Sequence, residues 1–350
     1  MTHRISFVLL LLFAASAPAQ ERAVFTVGNA AAAGGSKATG IIAVPAGVDQ
    51  AAKIPVAVIH GARPGPALAL VAGSHGTEYA SIIALEKMIG LLDPGQLSGT
   101  VVILPLVNTA SFEQKIAHLN PVDGKNMNRT YPGRADGTLS ERSSYLITRE
   151  VVEQCDHLID FHGGDLDESL RPYSYWTRTG RVEQDRISKE MVLAFGLDHI
   201  IISTDRPKDP GASRYLENTA TTRGKPSITV EAGHAGTVDP EDVECLVQGT
   251  LSVMRYLNML PGEPSPVEHP VWIARLTNVV SEATGIFYPL VGRGAFVARG
   301  MKIGYVTDYV GKTILEARAP VAGIVMYIRA VPSLTQDETI ASIGEPGAVP

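Results

Sequence analysis

Histidine and glutamate side chains stand directly after three apolar segments of this chain. His75 and Glu78 lie three residues apart in GSHGTE. His162 follows LIDF, and Glu231 follows ITV. A histidine and a carboxylate three residues apart on a turn are close enough to bind one cation. If the apolar segments are neighbouring strands, all four side chains come to one edge of a sheet, where open α/β folds bind ligands. The pattern therefore predicts a metal site assembled from separate segments.

Two histidines and one glutamate leave the fourth position on a zinc ion for water, which is the arrangement of a catalytic site. We expect one zinc ion per chain, held by His75, Glu78 and His162. Zinc lowers the pKa of its water towards neutrality, and a carboxylate outside the ligand set can take the proton and pass it to a leaving amine. Glu231 is the candidate for that general base. Asp160 either hydrogen-bonds a ligand imidazole or is an ordinary strand-end carboxylate.

A long polar loop, residues 120–133, places Asn128 beside Arg129. The planar guanidinium of an arginine, next to an amide, suits two-point binding of a carboxylate. We therefore interpret Asn128 and Arg129 as substrate-binding residues. An ordinary surface arginine is the alternative, and the metal pattern is what favours binding.

Short apolar runs alternate with amphipathic stretches from about residue 53, which is the pattern of an α/β fold. A hairpin is predicted before this region, within residues 24–53. The predicted strands are 56–60, 67–72, 100–106, 157–161, 199–203 and 227–230. The predicted helices are 79–91, 149–155, 184–195 and 242–260. Together they make one catalytic α/β domain over residues 20–260.

The composition shifts at PGEPSP, residues 261–266, which indicates a linker. Beyond it, glycines separate short strands and no helical period is present. We predict a small β-rich C-terminal domain over residues 267–350.

Residues 1–19 have the pattern of a secretory signal peptide. Arg4 precedes an apolar run at residues 5–15, and APA at residues 17–19 offers a cleavage site. The apolar run is roughly ten residues, about half of a membrane span, so we expect cleavage rather than anchoring. The mature protein is therefore predicted to be periplasmic or secreted, with no membrane association.

The composition of the 350 residues excludes several classes of protein. Apolar residues make up 45% and charged residues only 19%, with a net charge of −6, which excludes a disordered polyelectrolyte and argues against nucleic-acid binding. Two cysteines cannot form a disulfide-dense scaffold. Cys155 and Cys245 can pair in an oxidising compartment, although their helix-like surroundings favour buried thiols.

Four motifs, in this order, resemble those of the succinylglutamate desuccinylase and aspartoacylase family of zinc deacylases. They are GSHGTE at 73–78, NRTYPG at 128–133, DFHG at 160–163 and TVEAG at 229–233. The resemblance implies a zinc carboxypeptidase-like mixed sheet with helices on both faces, followed by a small all-β C-terminal domain. It also implies three roles: His75, Glu78 and His162 bind zinc, Glu231 activates the water, and Asn128 with Arg129 binds the substrate carboxylate.

The resemblance predicts a hydrolase that cleaves the N-acyl amide bond of a small carboxylate-bearing substrate, such as an N-acyl amino acid or a short peptide. An exported zinc carboxypeptidase acting on peptides, cell-wall peptides included, is the alternative. A non-catalytic binding protein on the same scaffold is a third reading. Many family members carry an arginine that polarises the scissile carbonyl where this chain has His118, so His118, Lys115 and Lys125 are the candidates for that role. Assembly of the chain into a homo-oligomer is compatible with the sequence.

Overall fold

The structure is a computed structural model that describes residues 23–350, so the predicted signal peptide lies outside the described residues. Within that range no helix is both long and apolar enough to cross a bilayer. The strands are β1 (Phe25–Val27), β2 (Ala30–Ala32), β3 (Ser36–Val44), β4 (Ala52–His60), β5 (Arg63–Ala72), β6 (Ser98–Leu104), β7 (His157–His162), β8 (Glu168–Thr177), β9 (His199–Ser203), β10 (Ser227–His234), β11 (Val271–Val280), β12 (Gly285–Pro289), β13 (Phe296–Val297), β14 (Lys302–Thr307), β15 (Thr313–Arg318), β16 (Gly323–Arg329), β17 (Ser333–Leu334) and β18 (Thr339–Pro346). The helices are α1 (Tyr79–Leu91), α2 (Thr109–Gln114), α3 (Leu139–Ile147), α4 (Val182–Phe195), α5 (Leu216–Thr222) and α6 (Pro240–Tyr256).

A mixed sheet of twelve strands forms the centre of the molecule, in the order β13-β16-β18-β11-β9-β8-β10-β7-β5-β6-β4-β3. The strands β10, β7, β5 and β6 are neighbours and run parallel, whereas β4 and β8 pair antiparallel to this group. The mixed α/β fold predicted from the alternating pattern is confirmed. Because parallel strands end at the same edge of a sheet, the segments that follow β5, β7 and β10 meet there.

Helices cover both faces of this sheet. Alternate residues of β5 point to opposite faces: Leu68 and Leu70 belong to a core with α1, α4 and α6, whereas Ala69 and Val71 belong to a core with α3 and α5. A parallel strand that is buried on both faces reads as a continuous apolar run. This double burial explains the run ALALVA before the first motif.

Most predicted elements lie where the sequence placed them, and α1 and β9 have the predicted bounds. The helix predicted over 149–155 is wrong, because α3 begins earlier, after a capping box of Thr138 and Glu141, and only a π-helical turn, Thr148–Val152, follows it. Strand β8 was not predicted, because Arg171 and Pro172 interrupt its apolar pattern. The early hairpin is present as β1 and β2. Cys155 is buried, Cys245 is partly buried, and both are free thiols.

The chain beyond the proline-rich segment contains strands and no helix up to residue 350. Strands β12, β14, β15 and β17 form a separate small sheet, whose core is shared with β13, β16 and β18 of the main sheet. The other strands extend the main sheet, since β11 pairs with β9 and β16 pairs with β8. This pairing brings C-terminal residues to the edge where the motifs lie. The boundaries 20–260, 261–266 and 267–350 stay a prediction.

Candidate metal centre and its cavity

The carboxyl ends of β5, β7 and β10 carry the motif residues. His75 and Glu78 lie in the turn between β5 and α1, and Gly73 allows this turn because its φ is +73°. His162 is the last residue of β7, and it is paired in register with Glu231 of β10. All four residues predicted from the sequence are therefore neighbours.

The glycines that follow His162 and Glu231 allow the two backbones to approach closely. A Cβ atom on Gly164 would lie 2.5 Å from the carbonyl carbon of Gly233, and one on Gly233 would lie 2.4 Å from the amide nitrogen of Gly164. Any side chain would push the two segments apart. The glycines in HGG and EAG therefore set the distance between the histidine and the glutamate.

His75, Glu78 and His162 form one compact cluster, in which the ligand atoms all lie within 4.8 Å of one another. His75 Nδ1 lies 2.6 Å from Glu78 Oε1, and His162 Nδ1 lies 2.9 Å from Glu78 Oε2. Burial by itself raises the pKa of Glu78, but the two imidazoles outweigh it and lower the pKa to about 2. The structure thus brings the predicted ligands together, with an ionised carboxylate between two imidazole nitrogens.

The outer nitrogen of each imidazole has its own partner, which leaves both Nδ1 atoms for a metal. His75 Nε2 lies 3.1 Å from Asn126 Oδ1, and His162 Nε2 lies 3.3 Å from Asp160 Oδ1. Asp160 is buried, and no other described group donates a hydrogen bond to it. A buried carboxylate is satisfied by the N–H of an imidazole that binds metal through its other nitrogen. The donor set and its surroundings therefore fit a zinc ion.

The carboxylate of Glu231 lines the same cavity but is outside the ligand cluster. Among the described residues it makes no hydrogen bond and no ion pair. Burial raises the pKa of Glu231 well above its ordinary value; His162 opposes the rise, and the carboxylates of Glu78 and Glu168 add to it. A carboxylate that favours its protonated form is suited to accept a proton.

Asn128 and Arg129 lie in a 3-10 turn, Met127–Arg129, at the wall of the cavity. The Leu216 N–H donates to Asn128 Oδ1 at 3.0 Å, and Asn128 Nδ2 lies 3.0 Å from His162 Nε2. Asn128 is thus buried against a predicted ligand. Arg129 is exposed, and its guanidinium lies 4.5 Å from the centre of the Tyr215 ring. Arg129 reaches the cavity with donors to spare, while a substrate contact of either residue stays a prediction.

The cavity has a volume of about 620 Å³ and is closed in part by the C-terminal strands. Leu276 of β11 and Met326, Tyr327 and Arg329 of β16 line it. These residues follow no motif and were not predicted. The only sequence signal was the alternation in β16, which puts Tyr327 and Arg329 on one face.

The model of the family described as "Succinylglutamate desuccinylase/Aspartoacylase catalytic domain" matches residues 64–257. The chain belongs to this family. It is 29% identical over 316 residues to the "N-alpha-acetyl-L-2,4-diaminobutyric acid deacetylase" of Halomonas elongata, with 87% of this chain and 91% of that protein covered. The resemblance read from the four motifs is confirmed.

Two solved structures show the same fold. The "succinylglutamatedesuccinylase/aspartoacylase" from Rhodobacter sphaeroides superposes with a TM-score of 0.79 at 23% identity, covering 89% of this chain and 96% of its own. The product-bound "Ectoine utilization protein EutE (DoeB)" from Ruegeria pomeroyi superposes with a TM-score of 0.79 at 24% identity, covering 88% and 95%. The shared architecture therefore includes the C-terminal strands.

The structure places His118, a candidate for the carbonyl-polarising role, in the cavity wall. Its Nε2 lies 2.8 Å from Asp167 Oδ1, and its Nδ1 lies 3.2 Å from Asp165 Oδ2. Burial lowers the pKa of His118, but the carboxylates outweigh this and raise the pKa to about 9. His118 is therefore a cation whose two N–H groups are both taken by aspartates.

The two lysines proposed for the same role do not reach the cavity. Lys115 is exposed at the end of α2, and Lys125 pairs with Glu141 at 3.1 Å. Neither belongs to the cavity lining, whereas His118 does. Of the three candidates, only His118 is at the site.

Proposed function

We propose that the chain is a zinc-dependent amidohydrolase that removes the acyl group from a small N-acyl amino acid. The observation that carries the proposal is the cluster of His75, Glu78 and His162 beside Glu231 in one cavity. The family match and the relative named as a deacetylase support the reaction class. On this proposal the core sheet is of the zinc carboxypeptidase type.

His75, Glu78 and His162 would hold the zinc ion. Bound there, zinc supplies Lewis acidity, which lowers the pKa of water and polarises a carbonyl oxygen. Glu231 accepts a proton from the attacking water and delivers it to the leaving nitrogen, for which its raised pKa suits it. Asp160 and Asn126 keep the two imidazoles in the tautomer and orientation that metal binding needs.

Arg129 is proposed to bind the substrate carboxylate. Its stacking on Tyr215 limits the movement of the guanidinium, so less conformational entropy is lost when a carboxylate binds. Asn128 supports this role through its neighbours, because it accepts a hydrogen bond from the Leu216 N–H at the start of α5 and lies against the His162 ring. The loop therefore holds the substrate carboxylate at a fixed distance from the proposed zinc ligands.

The C-terminal strands are proposed to restrict the substrate to small molecules. Leu276, Tyr327 and Arg329 line one side of the cavity, and on this proposal they exclude an extended peptide. We assign them to a C-terminal domain over residues 267–350, joined by the linker 261–266 to the catalytic domain over 20–260. We also propose export after cleavage at Ala19, which mass spectrometry of the periplasmic protein would test.

A hydrolysis screen tests the proposed function. The zinc-loaded protein should hydrolyse N-acetyl amino acids and leave tripeptides of matching composition intact. A sample stripped of metal by a chelator is the control, and readdition of zinc should restore the activity. Trimming of tripeptides with N-acetyl amino acids untouched would reject the deacylase in favour of a carboxypeptidase.

A further inference from the structure

The position of the Glu231 carboxylate depends on the main chain that carries it. This carboxylate lines the cavity and makes no hydrogen bond or ion pair among the described residues. Because no neighbouring polar group holds the side chain, the path of β10 at residues 231–234 decides how far the carboxylate lies from the metal cluster. Whatever fixes that path therefore acts on the proposed general base.

Strand β10 becomes irregular directly after Glu231. Its pairing with β8 joins Glu231 to Tyr173 but Gly233 to Leu170, so the register shifts by one residue between these two pairs. One of the extra residues on the β8 side is Pro172, which has no N–H to donate to the ladder. An irregularity of this kind disrupts the ladder locally and redirects side chains next to active sites. The carbonyl groups at this point need a donor from elsewhere.

Arg293 supplies that donor. Its Nη1 atom donates to the carbonyl of Leu170 at 2.9 Å and to the carbonyl of Gly233 at 3.0 Å, one from each strand. The same nitrogen lies 3.3 Å from Oδ2 of Asp242, a buried carboxylate in the first turn of α6. One guanidinium group therefore connects β8, β10 and α6 at the point where the register shifts.

The loop that carries Arg293 is itself fixed to the main sheet. It lies between β12 and β13, and the Gly294 N–H donates to the carbonyl of Val325 in β16 at 2.8 Å. Gly294 has a φ of +80°, and a Cβ atom on it would lie only 3.3 Å from Cδ of Arg171 in β8. The glycine thus allows the loop to lie close against β8, from where Arg293 reaches Gly233.

We propose that Arg293 is a positioning residue for Glu231, which sets the path of β10 by binding the carbonyl groups on both sides of the register shift. The inference rests on the proposed function, since Glu231 is the base only on that proposal. Gly233 is then held from two sides, by Gly164 on the β7 side and by Arg293 on the β8 side. Arg293 is outside the cavity lining, so its loss should lower turnover and leave substrate binding intact.

Kinetics of a matched pair of variants test this role. Replacing Arg293 alone would leave Asp242 buried without its cation, which destabilises a protein by itself. The reference is therefore Asp242→Asn, and the test protein carries Arg293→Met in addition. With the N-acetyl amino acid that wild type hydrolyses fastest, kcat should fall by about tenfold to a hundredfold from the reference, because small displacements of a catalytic group are costly. KM and zinc content should stay the same, and Arg299→Ala, which changes an exposed arginine of the same region, should keep the wild-type kcat.

A double-mutant cycle shows whether the effect passes through Glu231. In a Glu231→Gln background, Arg293→Met should cause little further loss of kcat, because the group that Arg293 positions is already absent. An equal fold-loss of kcat with Glu231 and with Gln at position 231 would overturn the inference. So would an unchanged kcat in the Arg293→Met protein.

Amide hydrogen exchange of the protein as purified gives a readout that needs no turnover. Residues 231–236 should exchange faster in the Arg293→Met protein than in the Asp242→Asn reference, while residues 98–104 of β6 exchange equally in both. Equal exchange of residues 231–236, or faster exchange throughout the chain, would overturn the inference even if every compound is hydrolysed. If no compound is hydrolysed but the local increase is present, the proposed function fails and the restraint by Arg293 stands.

Discussion

Replacement of Glu217 by glutamine should stabilise the protein, and only above a defined pH. Glu217 is buried, and the Asn218 amide donates a hydrogen bond to its Oε2 atom at 2.9 Å. Burial raises the pKa of this carboxyl from 4.5 to about 7; side-chain hydrogen bonds, led by that from Asn218, oppose the rise, and the nearby Asp160 carboxylate adds to it. An ionised carboxylate in this position therefore costs free energy that a neutral amide of the same shape does not cost.

The size of this stabilisation and the pH range in which it appears follow from the pKa shift of Glu217. A difference of about 2.5 pKa units between the folded and unfolded states corresponds to about 3 kcal/mol. Below pH 4.5 the carboxyl is protonated in both states, so no stability is lost. As the pH rises from 4.5 to 7 the unfolded state releases the proton first, and wild type loses stability. Above pH 7 the loss is constant.

Urea unfolding of the metal-free protein at pH 5 and pH 8 measures this effect. The difference in unfolding free energy between Glu217→Gln and wild type should grow in favour of the variant by about 3 kcal/mol at most between these pH values. Glu268→Gln, which changes an exposed glutamate, should show no such growth. A difference between Glu217→Gln and wild type that is the same at both pH values would refute the reasoning.

Three further predictions concern the metal centre and the substrate. Purified protein should contain about one zinc per chain, and His75→Ala and His162→Ala should lose it while His269→Ala, an exposed histidine, keeps it; equal zinc in all four proteins would mean that the ligands are wrong. Glu231→Gln should keep zinc and fold but lose turnover about a hundredfold or more, because an amide cannot accept the proton; near-normal turnover would remove Glu231 as the base. Arg129→Lys should mainly raise KM, and Arg129→Ala should raise it further, while Arg134→Ala, which changes an exposed arginine, should leave KM unchanged. An unchanged KM in both Arg129 variants would mean that Arg129 does not bind the substrate.

The cluster of His75, Glu78 and His162 is the part of this protein that short segments of sequence determine. The apolar run before His75 and the runs before His162 and Glu231 are local patterns, and each places a polar side chain at a strand end. The glycines that follow His162 and Glu231 belong to the same short segments, and they mark the place where the two backbones approach closely. Neighbouring parallel strands then need only pair in register for the site to assemble.

The charge and the closure of the cavity depend on contacts between distant segments. Arg329 reaches the site because β16 pairs with β8, and Glu217 because α5 packs behind Asn128. Neither residue lies in a motif. The His118 ring is taken by Asp165 and Asp167, a pairing that its own segment does not indicate. By itself, the sequence determined that His75, Glu78, His162 and Glu231 come together at one edge of the sheet. Only the tertiary structure decided which acids are left unpaired, because burial and pairing are properties of the assembled cavity.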